Sequence, residues 1–192
     1  MCIRDSSLLT EIFSGIREKD KNNLSFEWAV NWSLGNNAFL NSYCNTVPTP
    51  NGGTHELGLK NGLLKAIRSH GDRTGNKISN KITADDIGKN LTGAISVFIP
   101  DPKFQGQTKD RLSNKSIQRV IENAIKDRFE TLLSNSPQQT EALLKYIYSI
   151  TEERLKRKID KETSRKTAIR KLRLPGKLAD CSQSNSEGTE LF

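Results

Sequence analysis

Long apolar runs are missing from this chain. No stretch of its 192 residues is apolar for the length a helix needs to cross a bilayer, and the N-terminus has no apolar segment of the signal-peptide kind. Cysteine is scarce. Cys2, Cys44 and Cys181 are scattered, lack metal-ligand spacing and are odd in number, which argues against a disulfide framework and for a reduced, cytoplasmic protein. Aromatic residues make up only 6% and hydrophobic residues 34%, so exposed or extended parts are expected beside a core that this length can bury. There are two histidines. His55 stands without a Ser or Cys nucleophile pattern, so it reads as a helix-start or packing residue before a catalytic base.

What is present in excess is positive charge. The net charge of +8 implies an anionic partner. Most of it sits between Thr151 and Arg173, where ten Lys or Arg face four acidic residues. Two readings stay open. One is a solvated helix laced with i,i+4 pairs such as Glu152 with Lys156; the other is a basic arm lying near nucleic acid.

In chain order, Met1 to Ser6 fits nothing that follows and reads as a non-native start. Between Leu8 and Lys21, Leu8, Ile12, Phe13 and Ile16 mark a short apolar segment whose element type the pattern does not decide. Leu24, Phe26, Trp28, Val30 and Trp32 alternate with polar residues and predict a half-buried strand. Gly35-Asn36-Asn37 has turn chemistry, and Phe39 to Val47 reads as a second strand, the two forming a hairpin closed by Pro48 and Pro50. After Gly52-Gly53, Thr54 can cap a helix that Leu59, Leu63 and Ile67 carry to about His70. Thr83-Ala84-Asp85-Asp86 resembles a capping box, and its two aspartates read as helix N-terminal charges before metal ligands. Leu91 to Ile99 is a strand that Pro100 and Pro102 end. Ile117, Val120, Ile121, Ala124, Ile125, Phe129, Leu132 and Leu133 follow the helical period, with Ser113 or Asn114 as cap. Ser136-Pro137-Gln138-Gln139 starts a last helix whose apolar positions run from Leu143 to Ile159, and whose length to Leu172 would be roughly 54 Å. Its second half has little apolar surface and should project. A strand begins at Leu191-Phe192 and the chain stops there, as a truncated chain would.

The loop Gln105-Gly106-Gln107-Thr108-Lys109 joins the strand ending at Ile99 to the next helix, a common place for ligand contacts. Lys109 offers a compact cation on a flexible stem and Gln107 offers neutral amide donors. Two residues apart in an extended loop, they could face one side and clamp a terminal phosphate; the alternative is a plain polar surface loop.

Several separate stretches, in order, resemble the B subunit of bacterial type II DNA topoisomerases, gyrase and topoisomerase IV. They are Gly52-Gly53-Thr54-His55, Asp101-Pro102-Lys103-Phe104 with Gln107-Thr108-Lys109, and Leu174-Pro175-Gly176-Lys177-Leu178-Ala179-Asp180-Cys181. Glu190-Leu191-Phe192 is similar to the segment that leads into the family's toprim motif. Phe26-Glu27-Trp28-Ala29-Val30 and Thr189-Glu190-Leu191-Phe192 look more like topoisomerase IV than gyrase.

The resemblance implies an α+β transducer domain with helices packed on one sheet face, a left-handed β-α-β crossover, and a long projecting C-terminal helix. The usual handedness rule would give the opposite crossover. It implies these boundaries: 7–22 a tail or linker from the ATPase domain, 23–155 transducer, 156–173 basic linker helix, 174–192 the start of toprim. Lys109 and Gln107 match the residues that contact the ATP γ-phosphate, Lys109 in a catalytic role. Arg165, Lys166, Arg170, Lys171 and Lys177 are the DNA-facing candidates. ATP and Mg²⁺ serve the full-length isomerase, while this stretch alone should be inactive and hold no metal; Glu187 and Glu190 do not match metal-binding acids. The implied partners are DNA, an A-type subunit in a heterotetramer of two A and two B chains, and a second B subunit when ATP binds. Gyrase is the alternative within the family, and a stand-alone basic nucleic-acid-binding module the alternative outside it.

Overall fold

A computed structural model describes residues 8–9, 11–19, 23–34 and 38–170, with backbone alone for 139 and 166–170. The elements are β1 (Phe13–Arg17), β2 (Ser25–Trp32), β3 (Phe39–Cys44), β4 (Val47–Pro48), α1 (Thr54–Thr74), a 3₁₀ turn (Ser79–Lys81), α2 (Ala84–Gly88), β5 (Leu91–Phe98), α3 (Lys115–Asn135) and α4 (Pro137–Arg170). Five strands make one mixed sheet in the order β1-β2-β5-β3-β4. β5 runs antiparallel to β2 and parallel to β3, so the β3–β5 connection through α1 and α2 is the crossover unit.

The alternation in β2 decides which face of the sheet is dry. Phe26, Trp28, Val30 and Trp32 are 4% exposed or less, while Glu27 and Ala29 between them are exposed. Ile95 and Val97 of β5 add to the same core, which Leu59, Leu63 and Ile67 of α1 and Ile121, Ile125 and Phe129 of α3 cover. Phe129 packs edge-on against Phe13 of β1, with ring centroids 4.9 Å apart, and lies 6.0 Å from Trp32. The α1–α3 contact is close because Gly58 and Gly62 lie on α1 where a Cβ would sit 2.8 Å from the Gln118 carbonyl and 2.7 Å from that of Glu122. Lys65 and Glu122 tie the same two helices by an ion pair.

Two sequence expectations change, and one open segment is settled. The predicted β2–β3 hairpin is absent, because β5 lies between the two strands and pairs with both. In that position β5 pairs its backbone groups along both edges, where a margin strand pairs one. The segment Phe39–Val47 is two strands, since Asn45 and Thr46 have φ of 49° and 66° and turn the chain into a β3–β4 hairpin. Pro48 pairs with Tyr43 on the outer edge, where its missing N–H costs nothing. Phe13–Arg17, whose element type the pattern left open, is the edge strand β1, paired with β2 from Phe13↔Val30 to Arg17↔Phe26. The turn expected at Gly35-Asn36-Asn37 lies outside the described residues.

The capping box forms as expected: the Thr83 and Asp86 side chains and backbones bond reciprocally. Asp86 also accepts from Thr151 Oγ1 of α4 at 3.3 Å. The chain divides into two units, one ending at Glu152 and one starting at Glu153. In the first, Leu143, Ile147, Ile150 and Thr151 of α4 are buried. In the second, every described residue from Lys156 to Arg165 is exposed, and Ile159, an expected stripe position, is 62% exposed.

Candidate functional site

The strand β5 delivers the chain into the loop under tight control. Asn45 of the β3–β4 turn receives the Ile99 N–H on Oδ1 at 2.9 Å and donates Nδ2 to the Ile99 carbonyl at 2.8 Å. Neither proposed cap of α3 works as a side-chain cap. Asn114 is at the N-cap position without a capping bond; its Oδ1 instead accepts from Lys103 N at 2.6 Å, and its Nδ2 donates to the Asp101 carbonyl at 3.0 Å. Ser113 N and Oγ both donate to the Lys103 carbonyl. Asp101-Pro102-Lys103 is therefore laced to the start of α3.

Residues 105–111 are then closed at their base. Phe104 and Leu112 form an antiparallel bridge, and Gln105 N donates to the Arg111 carbonyl at 2.9 Å. The loop is not extended. It turns at Gln107-Thr108, and Gly106 and Lys109 have φ of 87° and 58°. The extended-chain spacing that would put Gln107 and Lys109 on one side does not apply. What the loop does is display them: both side chains are exposed. Three of the five described non-glycine residues with positive φ are Asn, which tolerates that conformation; Lys109 is not of that kind, and a side chain held there carries strain that the surroundings must support.

That support comes from Gly52-Gly53-Thr54-His55. Leu112 N donates to the Gly52 carbonyl at 3.2 Å, Thr54 N donates to the Leu112 carbonyl at 3.0 Å, and Asn51 N donates to the Asp110 carbonyl at 3.0 Å. Gly53, with φ 147°, is the N-cap of α1; Thr54, expected to cap, is the next residue, and its hydroxyl is buried without a partner. A Cβ on Gly53 would lie 2.4 Å from the Leu112 carbonyl oxygen. The two motifs separated by half a hundred residues thus form one joint, a relation visible only in three dimensions.

Beneath the joint, His55 is fully buried, as a packing histidine should be. Its Nε2 lies 3.2 Å from Thr49 Oγ1, and burial pushes its pKa down to about 4. Cys44 is buried too, and desolvation raises its thiol to about 11, which leaves it no thiolate for chemistry near neutrality. Among the DNA-facing candidates, Arg165 is exposed on α4, Lys166 and Arg170 are placed by backbone, and Lys171 and Lys177 lie outside the described residues, as do Glu187 and Glu190. Among the described residues no group of three His, Cys, Asp or Glu could hold a metal ion, and no helix is long and apolar enough to cross a membrane.

A family model described as DNA gyrase B matches residues 2–163. The chain is 49% identical to the B subunit of DNA topoisomerase 4 from Bartonella bacilliformis over 193 residues, covering 100% of this chain and 28% of that protein. It is 47% identical to the corresponding DNA topoisomerase 4 chain from Caulobacter vibrioides, covering 97% of this chain and 28% of that one. Among solved structures, the topoisomerase IV ATP-binding domain of Francisella tularensis superposes with a TM-score of 0.66 at 33% identity, covering 74% of this chain and 40% of that one. The ATPase domain of Thermus thermophilus gyrase B shares the fold, with a TM-score of 0.63 at 22% identity, covering 86% of this chain and 43% of that one.

This chain belongs to the DNA gyrase B family. Within it, the chain corresponds to a region of the topoisomerase IV B subunits, spanning 28% of their length.

Proposed function

We propose that this chain is the transducer region of a type II topoisomerase B subunit of the topoisomerase IV kind, and that the Gln107-Lys109 loop reads the γ-phosphate of ATP bound by the rest of the enzyme. The supporting observation is the loop itself. An exposed cation and an exposed amide, Lys109 in a strained conformation, sit on a segment hydrogen-bonded at its base and joined to the N-terminal joint of α1. An ammonium carried on an anchored backbone can stabilise charge spreading over the transferring phosphoryl oxygens, and the anchoring lowers the cost of ordering its stem. One lysine and one amide fit a terminal phosphate and are too few for a nucleotide pocket. Adenine, Mg²⁺ and general-base functions therefore fall to other parts of the full-length isomerase. The loop's anchors carry its displacement into the sheet and α1. We assign coupling of ATP turnover to DNA strand passage to this path, with α4 as the linker toward toprim. The cytoplasmic setting, the A-type subunit, the B-subunit dimer and DNA are the partners of that reading. Because β1 is part of the sheet, we place the start of the transducer before Phe13.

In the reconstituted full-length enzyme, Lys109→Ala is expected to lower ATP turnover by roughly 10²–10³, the scale of one preorganised charge-stabilising donor, with a smaller effect on nucleotide affinity. Gln107→Ala should cost less, because a neutral hydrogen bond is weaker than a charge-assisted one. Lys109→Arg should recover only part of the loss. Lys103, whose backbone is laced to Ser113 and Asn114 and whose side chain is exposed, is the control: turnover that survives Lys109→Ala but not Lys103→Ala sinks the assignment.

A further inference from the structure

Below the loop lies a polar cluster that a γ-phosphate contact does not itself require. Ser42 of β3, Thr49 and His55 are 5%, 1% and 0% exposed. Their protons can be assigned by satisfaction. Thr49 Oγ1 donates to the Ser42 carbonyl at 2.9 Å, and Ser42 Oγ donates to the Thr49 carbonyl at 2.9 Å. The hydroxyls are also 2.8 Å apart, so Ser42 Oγ–H is shared between the Thr49 carbonyl and Thr49 Oγ1. Were Thr49 to donate to His55 instead, Nδ1 would be a buried N–H without an acceptor, the rarer case. Thr49 Oγ1 is left an acceptor toward His55, so the neutral imidazole donates from Nε2. Its Nδ1 is then a bare acceptor, and it is buried without a partner.

An apolar side chain of similar size would fill this space with no orphaned atom, so packing alone does not account for an imidazole here. Its one bond holds Thr49, whose carbonyl receives the Gly52 N–H at 2.8 Å. The turn so fixed carries Asn51, Gly52 and Thr54, which bind Asp110 and Leu112, the residues that follow Lys109.

We infer that His55 is a positioning residue for the γ-phosphate loop: its Nε2 bond to Thr49 sets the 49–54 turn against which residues 110–112, and through them Lys109, are registered. The inference rests on the proposed γ-phosphate reading. Loss of the bond leaves Thr49 held to Ser42 and frees the 52–55 end of the turn to move against it, and a displacement near 1 Å at a reacting group can cost on the order of 10²-fold in rate.

The test uses the reconstituted full-length enzyme. His55→Leu should lower kcat for ATP by roughly 10- to 100-fold while KM for ATP moves little. His55→Gln, which restores an Nε2 donor, should recover most of it. In a Lys109→Ala background, His55→Leu should add almost nothing, because the residue acts through Lys109. Thr49→Val removes the acceptor together with the Oγ1 bond to Ser42 and should lower kcat at least as much as His55→Leu, which keeps the test open if that variant folds poorly; a Thr49→Val enzyme with full kcat also overturns the positioning role. Full additivity with Lys109→Ala, or a Gln variant no better than Leu at equal folded fraction, overturns the positioning role. A harmless Lys109→Ala would instead overturn the γ-phosphate reading on which it rests.

Discussion

Lys109 is held in a left-handed conformation by residues that are themselves held, and Gly53 is the one on which the joint turns. Its φ of 147° belongs to glycine, and an added Cβ would strike the Leu112 carbonyl. Gly53→Ala is expected to destabilise the chain by roughly 2–4 kcal/mol, backbone strain plus the clash, read as a lowered urea midpoint. His55 makes a second prediction through pH. Its folded value, about 4, lies below the ordinary 6.5, so it is neutral in both states above pH 6.5 and contributes no slope there. As pH falls, the unfolded chain takes up a proton that the folded chain refuses. Stability therefore drops between 6.5 and about 4, by about 2 kcal/mol at pH 5. The charged neighbour is Glu56, which opposes the shift and is paired with Lys60 at 2.6 Å. Denaturation of His55→Gln at pH 7 and pH 5 should lack that part of the drop; equal drops in both proteins would show that the buried imidazole titrates normally. The sequence marked His55 as a packing residue, but its partner Thr49 and the orphaned Nδ1 come from a turn whose shape no local pattern encodes.

At the scale of elements, legibility followed how local the cause was. The strands β2 and β5 and the helices α1, α3 and α4 were readable because each carries its own period of apolar residues. The capping box at Thr83 was readable because both partners lie within one turn. The partners of the strands were not, because β5 enters between β2 and β3 from sixty residues away in the chain. β1 escaped because Ile12 and Ile16 are exposed, so only Phe13 and the ring-accommodating Gly15 mark its buried side. The basic half of α4 makes a prediction that salt can read. Arg157 is spent on Glu153, while exposed Arg165 stands with Lys166, Arg170 and Lys171 in the sequence. If they face DNA, neutralising these four should reduce the salt slope of duplex binding by as much as about three to four, at roughly 0.9 per phosphate contact. An unchanged slope returns them to a solvated helix.

For the whole molecule, composition pointed to an anionic partner and separate motifs pointed to the family, but neither showed why the motifs belong together. The joint between Gly52–His55 and Asp110–Leu112 supplies that reason: its backbone bonds tie the loop to the start of α1, and it is the path by which we propose a contact at Lys109 reaches the fold. The proposed contact is to the γ-phosphate in particular. Hydrogen exchange over residues 105–112 in the full-length enzyme, with ADP and with a non-hydrolysable ATP analogue, tests this most directly. The account predicts slowed exchange in this loop with the analogue, none with ADP, and loss of the difference in Lys109→Ala. Equal protection by both nucleotides, or a loop indifferent to the analogue while nucleotide is demonstrably bound elsewhere in the enzyme, would contradict it.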